Sequence, residues 1–198
     1  MNKEQPVFIK GFKVILRPIN PETDLENCLR WINNPEIRRL IKSGRFPMTI
    51  NNEKEWLENC SKKKMESISL AIERIEGGIY IGNTGFHKID WISRTAVSGT
   101  IIGDSENQNQ GYGTDSKMQL LNYAFNTLNL RKIFSSAFGF NQLSLKHNQN
   151  CGYKEEGRLK EKFFVEGRYY DEIILGVTRD DWFPIWEKYQ SLRNGRVK

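Results

Sequence analysis

Residues 107–125 read NQNQGYGTDSKMQLLNYAF. Two glycines, Gly111 and Gly113, and a threonine, Thr114, precede a run with helical apolar spacing. A helix N-terminus leaves its first N–H groups free and carries about half a positive charge. A diphosphate can use both features where no Cβ blocks its approach, and glycine removes that obstacle. The competing reading is a flexible turn that caps a core helix.

The flanking sequence sets this stretch in a fold. Residues 12–17, FKVILR, alternate as a first strand that Pro18 and Pro21 end. Residues 22–40 are helical with a break at NNPE, because Pro35 disfavours helix at Asn34. A second helical segment follows FPMT, with Thr49 as its cap and Trp56, Leu57 and Cys60 near one face. Then SISLAIER, YIGNTGFHKIDW and AVSGTIIG are three strands whose short links imply antiparallel pairing. After the glycine stretch and a helix to about Leu128, KIFSSAFGF is a strand that can pair in parallel. QLSLKHNQN is a short helix ended by Gly152. Two strands, about 153–165 and 168–178, turn at EG, and a helix with Trp182 and Trp186 follows. The order β, αα, βββ, α, β, α, ββ, α makes one mixed α/β domain.

The chain has 198 residues and a net charge of +6. Its basic groups gather at SKKKM, around Arg158–Lys162 and in LRNGRVK, which suits a solvated surface or an acidic ligand. No apolar run approaches the roughly 20 residues that span a membrane. The first residues, MNKEQPVFIKGF, lack the apolar stretch of a signal peptide. With three widely spaced cysteines, Cys28, Cys60 and Cys151, the expectation is reduced thiols and a cytoplasmic protein. Two histidines and no close cysteine pair leave no zinc site to expect, and no metal is anticipated.

Known phosphate loops narrow the choice. A Walker loop needs GxxxxGK[ST], and no glycine here is followed by Lys and then Ser or Thr. A dinucleotide fingerprint needs GxGxxG, but Ser116 stands at its third glycine and an antiparallel meander precedes it. Gln108-Asn109-Gln110-Gly111-Tyr112-Gly113 instead gives Q-x-x-G-x-G after a strand and before an apolar helix. About thirty residues on, FNQLSLKHNQNCGYKEEG carries N-x-x-S and G-[FY]-x-x-x-G, with Asn141, Ser144, Gly152, Tyr153 and Gly157. These two ordered motifs resemble the cofactor segments of the GNAT superfamily of N-acetyltransferases. ILRPINPETDLENCLRWINNPEIRRL and GRYYDEIILGVTRDDW resemble the opening and ending of its Rim-type ribosomal-protein and spermidine acetyltransferase subgroup.

The resemblance implies a single GNAT-like α/β (α+β) domain. Its sheet would have about seven mostly antiparallel strands, a central V-shaped splay, and helices on both faces. Residues of about 18–60 would form the acceptor-side helical segment, 66–178 the acetyl-CoA-binding core, and 180–193 the C-terminal helix. Acetyl-CoA would be the co-substrate. Its pantetheine arm would pair with backbone near Ile101, Ile102 and Gly103. Its diphosphate would rest on N–H groups of Gln108, Asn109, Gln110, Gly111, Tyr112, Gly113 and Thr114. Asn141 would reach the pantetheine or an ordered water.

The partner would be an amine acceptor, with no membrane and no nucleic acid, in a monomer or homodimer. AFGF at 137–140 is similar to the aromatic strand of an RNA-recognition sheet, but Ser136 and Ala137 replace that motif's basic residue and first glycine. The basic balance favours an acidic or sugar-nucleotide acceptor over a polyamine.

Chemistry of this class needs a base, an oxyanion site and an acid for the thiolate. Val97 stands where many relatives carry a carboxylate, and Asn148 where many carry a tyrosine. Ser144 becomes the candidate acid; its alternative is an early-helix cap. His87 is the candidate base, with Asp90, Asp171 and relaying water as others. Cys151, near a helix end, suits a small core filler better than a nucleophile. A catalytically weak sensor of acyl-CoA is the alternative function, and an RNA-binding module a further one.

Overall fold

The structure is a computed structural model and describes residues 6–194, with side chains to residue 192. The expected solvated tail LRNGRVK therefore lies mostly outside the described residues. The elements are β1 (Ile9–Lys10), β2 (Val14–Pro18), α1 (Pro21–Asn33), α2 (Pro35–Arg38), α3 (Ile50–Ser61), β3 (Ser67–Arg74), β4 (Ile79–Asp90) and β5 (Thr95–Ile102). They continue with α4 (Tyr112–Asn122), a π turn Tyr123–Thr127, β6 (Lys132–Phe138), α5 (Gln142–Asn150), β7 (Lys154–Val165), β8 (Arg168–Thr178) and α6 (Arg179–Asn194).

The strands form one sheet of eight in the order β1-β2-β3-β4-β5-β6-β8-β7. The sequence reading of about seven strands missed β1. That strand has only two residues, Ile9 and Lys10, paired with Leu16 and Ile15, and alternation cannot register so short a segment. The β5–β6 pair is parallel, as a helical crossover requires. Asn20, Asn34 and Thr49 cap α1, α2 and α3 through side-chain oxygens that accept Glu22, Glu36 and Asn52 N–H groups. Trp56 corrects one expectation. Leu57 is buried on α3 but Trp56 faces solvent, one residue or about 100° around the helix.

The chain gathers into two compact units. The first comprises residues up to Phe86 together with Thr100–Ser116. Its core sets Ile19, Cys28 and Trp31 with Leu57, Ala71 and Tyr80. Beside it Arg17 is fully engaged. Its guanidinium donates two bonds to Asp24 at 2.8 and 2.9 Å and a third to Glu73 at 2.9 Å. Burying three charges costs several kcal/mol unless they are paired this completely.

The second unit comprises His87–Gly99 and Lys117 onward. Phe125 packs on Trp182, and Ile133, Ile173, Leu175 and Val177 fill the sheet beneath. Glu166 and Gly167, both at positive φ, make the tight β7–β8 hairpin turn that the dipeptide EG implied. Gly152, at φ 94, ends α5.

Candidate active site

Within the first unit, β5 delivers the chain to the glycine loop. Gly103 N–H donates to Ile81 O at 2.9 Å, so Gly103 belongs to the β4–β5 ladder. Backbone polar groups alternate sides along a strand. Ile101, two residues back, therefore also faces β4, and a Cβ on Gly82 would strike its carbonyl. Of the three residues expected to pair with pantetheine, only Ile102 turns its backbone away from β4. Gln108 Nε2 already donates to the Ile102 carbonyl at 3.2 Å. The glutamine of the Q-x-x-G-x-G pattern thus stitches the loop to the strand end. Gly103 has a steric reason to be glycine: a Cβ there would sit 2.0 Å from ring atoms of Trp31.

The loop needs left-handed backbone at Asn109 (φ 59) and Gly111 (φ 84). Asparagine tolerates that region and glycine occupies it without strain. Gln110 lies between them, and Tyr112 opens α4 with Gly113 and Thr114 in its first turn. Asp115 then does something its sequence did not reveal. Its carboxylate accepts the N–H groups of Phe12, Lys13 and Val14 at 3.2, 2.6 and 2.9 Å. A Cβ on Gly11 would meet that carboxylate at 2.6 Å. The β1–β2 turn therefore wraps the first turn of α4, and this fixes where the helix begins. Lys13, carried by that turn, reaches Gln110 O with Nζ at 2.6 Å. It lies 3.3 Å from where a Cβ on Gly111 would be.

Within the second unit, registered β5–β6 pairs run from Thr95–Lys132 to Val97–Phe134. At the next residue, Ser98 Oγ donates to Phe134 O at 3.2 Å. Ser98 Oγ also meets Tyr153 OH at 2.7 Å and accepts from Lys117 Nζ at 3.0 Å. With its one proton spent on Phe134, Ser98 accepts from both. Tyr153, the aromatic of the second motif, is thus a buried hydrogen-bonding partner. Burial pushes Lys117 down to about 8 and Cys151 up to about 12. Cys151 is fully buried and stays a thiol at neutral pH, which fits a core filler and not a nucleophile.

The second motif forms α5. Asn141 is its N-cap: Oδ1 accepts Ser144 N–H at 3.0 Å. The capping role once open to Ser144 belongs to Asn141. Asn148 donates Nδ2 to Ser144 O at 2.8 Å and lies 3.5 Å from Ser144 Oγ. Its Oδ1 is buried without a hydrogen-bond partner among the described residues. Ser144 itself is partly exposed, so its hydroxyl is reachable.

The candidate bases fare unevenly. Asp90 accepts Ile92 and Ser93 N–H groups at 2.9 Å, and these bonds hold its carboxyl below the usual range. Asp171 accepts Glu161 N–H and pairs with Arg158, which likewise lowers it. A carboxylate stabilised in its charged form is a weak base; Asp90 serves a turn and Asp171 the irregular stretch of β7 around Glu161. His87 is exposed on β4 beside Lys88, whose φ of 51 marks an irregularity in the strand. Val97 is half-buried on β5 with no titratable atom.

A strand, a left-handed glycine loop and a helix N-terminus together make a place where an anion can meet bare backbone N–H groups. Residues 13–154 match the family described as acetyltransferase (GNAT) domain. The chain is 27% identical over 173 residues to the SPbeta prophage-derived N-acetyltransferase YokL of Bacillus subtilis, covering 87% of this chain and 93% of that one. It is 32% identical over 145 residues to a spermidine N(1)-acetyltransferase of Vibrio cholerae, covering 72% and 83%. Among solved structures, the Vibrio cholerae spermidine N-acetyltransferase crystallised with CoA and spermine superposes with a TM-score of 0.77. Identity there is 24%, over 86% of this chain and 98% of that one, so this likeness speaks for the fold. The chain belongs to the GNAT acetyltransferase family and is an amine N-acetyltransferase.

Among the described residues no group of three or more His, Cys, Asp or Glu is placed to hold a metal. No helix among them is long and apolar enough to cross a membrane.

Proposed function

We propose that the protein moves an acetyl group from acetyl-CoA to a primary amine by direct attack in a ternary complex, with a protein N-terminus, an amino sugar or a small amine as acceptor. The observation that carries this is the loop at 108–114. Its left-handed Asn109 and Gly111, followed by the free N–H groups of α4, suit a diphosphate. Backbone N–H groups from Gln108 to Thr114 hold the diphosphate, and Ile102 offers its outward backbone to the pantetheine arm. Asn141 and Ser144 are assigned to the thiol in this scheme.

The acceptor must lose a proton, since an amine of pKa near 10 is only ~0.1% neutral at pH 7. Val97 cannot take it, Asp90 is committed to a turn, and Asp171 is committed to Glu161 N–H and Arg158. Water carries the proton to solvent, with exposed His87 as an alternative relay. Ser144 Oγ, oriented by Asn148, donates to the departing sulfur. The whole chain acts as one catalytic domain in this scheme.

Acetyl-CoA with a panel of amines (spermidine, amino sugars, a peptide with a free N-terminus), read as free thiol, tests the reading. Saturable release with one amine class supports it. Coenzyme A binding without turnover on any amine would make the protein a sensor. Ser144→Ala should lower kcat about ten-fold with little change in KM for acetyl-CoA. An unchanged kcat removes Ser144 from the chemistry.

A further inference from the structure

Lys13 comes from outside both cofactor motifs, yet the fold sets its ammonium on the glycine loop. Nζ donates to Gln110 O at 2.6 Å, and the side-chain stem lies 3.9 Å from the site a Gly111 Cβ would take. The ammonium is 6.0 Å from the Tyr112 ring centroid. Its backbone is clamped by Asp115, which accepts the N–H of Lys13 itself and of both neighbours.

A helix N-terminus favours anions and repels cations within its first turn. Here an exposed ammonium sits beside the N-terminus of α4. The nearest carboxylate of that turn, Asp115, has its oxygens occupied by three backbone N–H groups. Asp104, at the loop's other end, is paired with Arg30. The one bond to Gln110 O leaves two of the three ammonium protons for another acceptor. A phosphate at the loop would be attracted both by this ammonium and by the helix N-terminus.

We propose that Lys13 is a cofactor-binding residue whose ammonium contacts the diphosphate of acetyl-CoA, with Asp115 as the residue that positions it. This rests on the reading of the 108–114 loop as the diphosphate seat. The cation supplies charge that the loop's own side chains lack. It also gives the two-residue strand β1 a purpose, because that hairpin carries the lysine to a loop 97 residues away.

The test compares the full-length wild type with Lys13→Met and Lys13→Gln by calorimetric titration with CoA, dephospho-CoA and pantetheine. Glutamine keeps a donor for Gln110 O but removes the charge. Both variants should bind CoA and dephospho-CoA about five- to ten-fold more weakly, bind pantetheine like the wild type, and show a shallower dependence of affinity on salt. Unchanged CoA affinity overturns the proposal. A loss equal for pantetheine makes Lys13 a loop support only and also overturns it. A loss with CoA but none with dephospho-CoA moves the contact to the 3′-phosphate and refutes the diphosphate assignment. A wild type that binds CoA no better than pantetheine would bring down the loop reading itself, a result distinct from any effect of the variants.

Discussion

Replacing Lys117 with methionine should stabilise the protein. Lys117 is buried, and desolvation pushes its ammonium from 10.5 to about 8. That difference corresponds to about 3 kcal/mol by which burial disfavours the charged form. The sign follows from linkage. Below pH 8 both folded and unfolded chains carry the proton, so the whole penalty is present at pH 7. Between pH 8 and 10.5 the folded chain has released the proton and the unfolded chain has not, so stability rises with pH there. Methionine fills a similar volume without the charge. It forfeits the 3.0 Å bond to Ser98 Oγ, worth about 1 kcal/mol. Ser98 keeps its bonds to Tyr153 and Phe134.

The expected net gain at pH 7 is therefore about 2 kcal/mol. Urea unfolding at pH 7, 8 and 9, followed by tryptophan fluorescence, reads it. By pH 9 the advantage of Lys117→Met should shrink by about 1 kcal/mol, because the wild type has shed part of its penalty. Cys151 and Cys28, pushed up to about 12 and about 11, work the other way above pH 9. Cys28 does so in both proteins, whereas Cys151 feels the Lys117 charge, so the difference between the two curves reads Lys117 together with its coupling to Cys151. A difference that does not change with pH, or a variant less stable than wild type at pH 7, would refute the argument.

Arg17→Met should cost about 3–5 kcal/mol by leaving Asp24, wholly buried, without its partner; a thermal melt shows it, and adding Asp24→Leu should recover most of the loss. Gly103→Ala puts a Cβ 2.0 Å from the Trp31 ring. It should cost about 2–3 kcal/mol, whereas Gly99→Ala, with nothing within 4 Å, should leave the melting temperature nearly unchanged. Asp115→Asn should lower stability by about 1–3 kcal/mol and weaken CoA binding as well, because the turn bearing Lys13 loses its charged clamp; intact CoA affinity would separate the clamp from the cofactor site.

Legibility in the sequence followed range of interaction. SISLAIER and QLSLKHNQN coincide with β3 and α5 residue for residue, since alternation and a local cap at Asn141 define them. Pro35 split the α1–α2 segment where its steric demand required. Reading Gly111 as a bare-backbone position agrees with its φ of 84, which a side chain adopts only under strain. Gly103 was legible only as part of a strand end, because the Trp31 ring it accommodates lies 72 residues earlier in the chain. Asp90 and Asp171 looked equally available as bases until their backbone N–H partners were visible.

The amino-acid sequence by itself determined the order of all elements but β1, the glycine loop and the family, because strand alternation, helix caps and glycine backbone freedom act over a few residues. The tertiary structure decided which side chains serve that loop. Lys13 meets Gln110, and Asp115 meets the turn at 12–14, about a hundred residues apart. Lys117 becomes a buried, readily deprotonated amine only when Ser98 and Tyr153 close around it. Charge, burial and hydrogen-bond satisfaction depend on neighbours the chain brings together only on folding, and no local pattern encodes them.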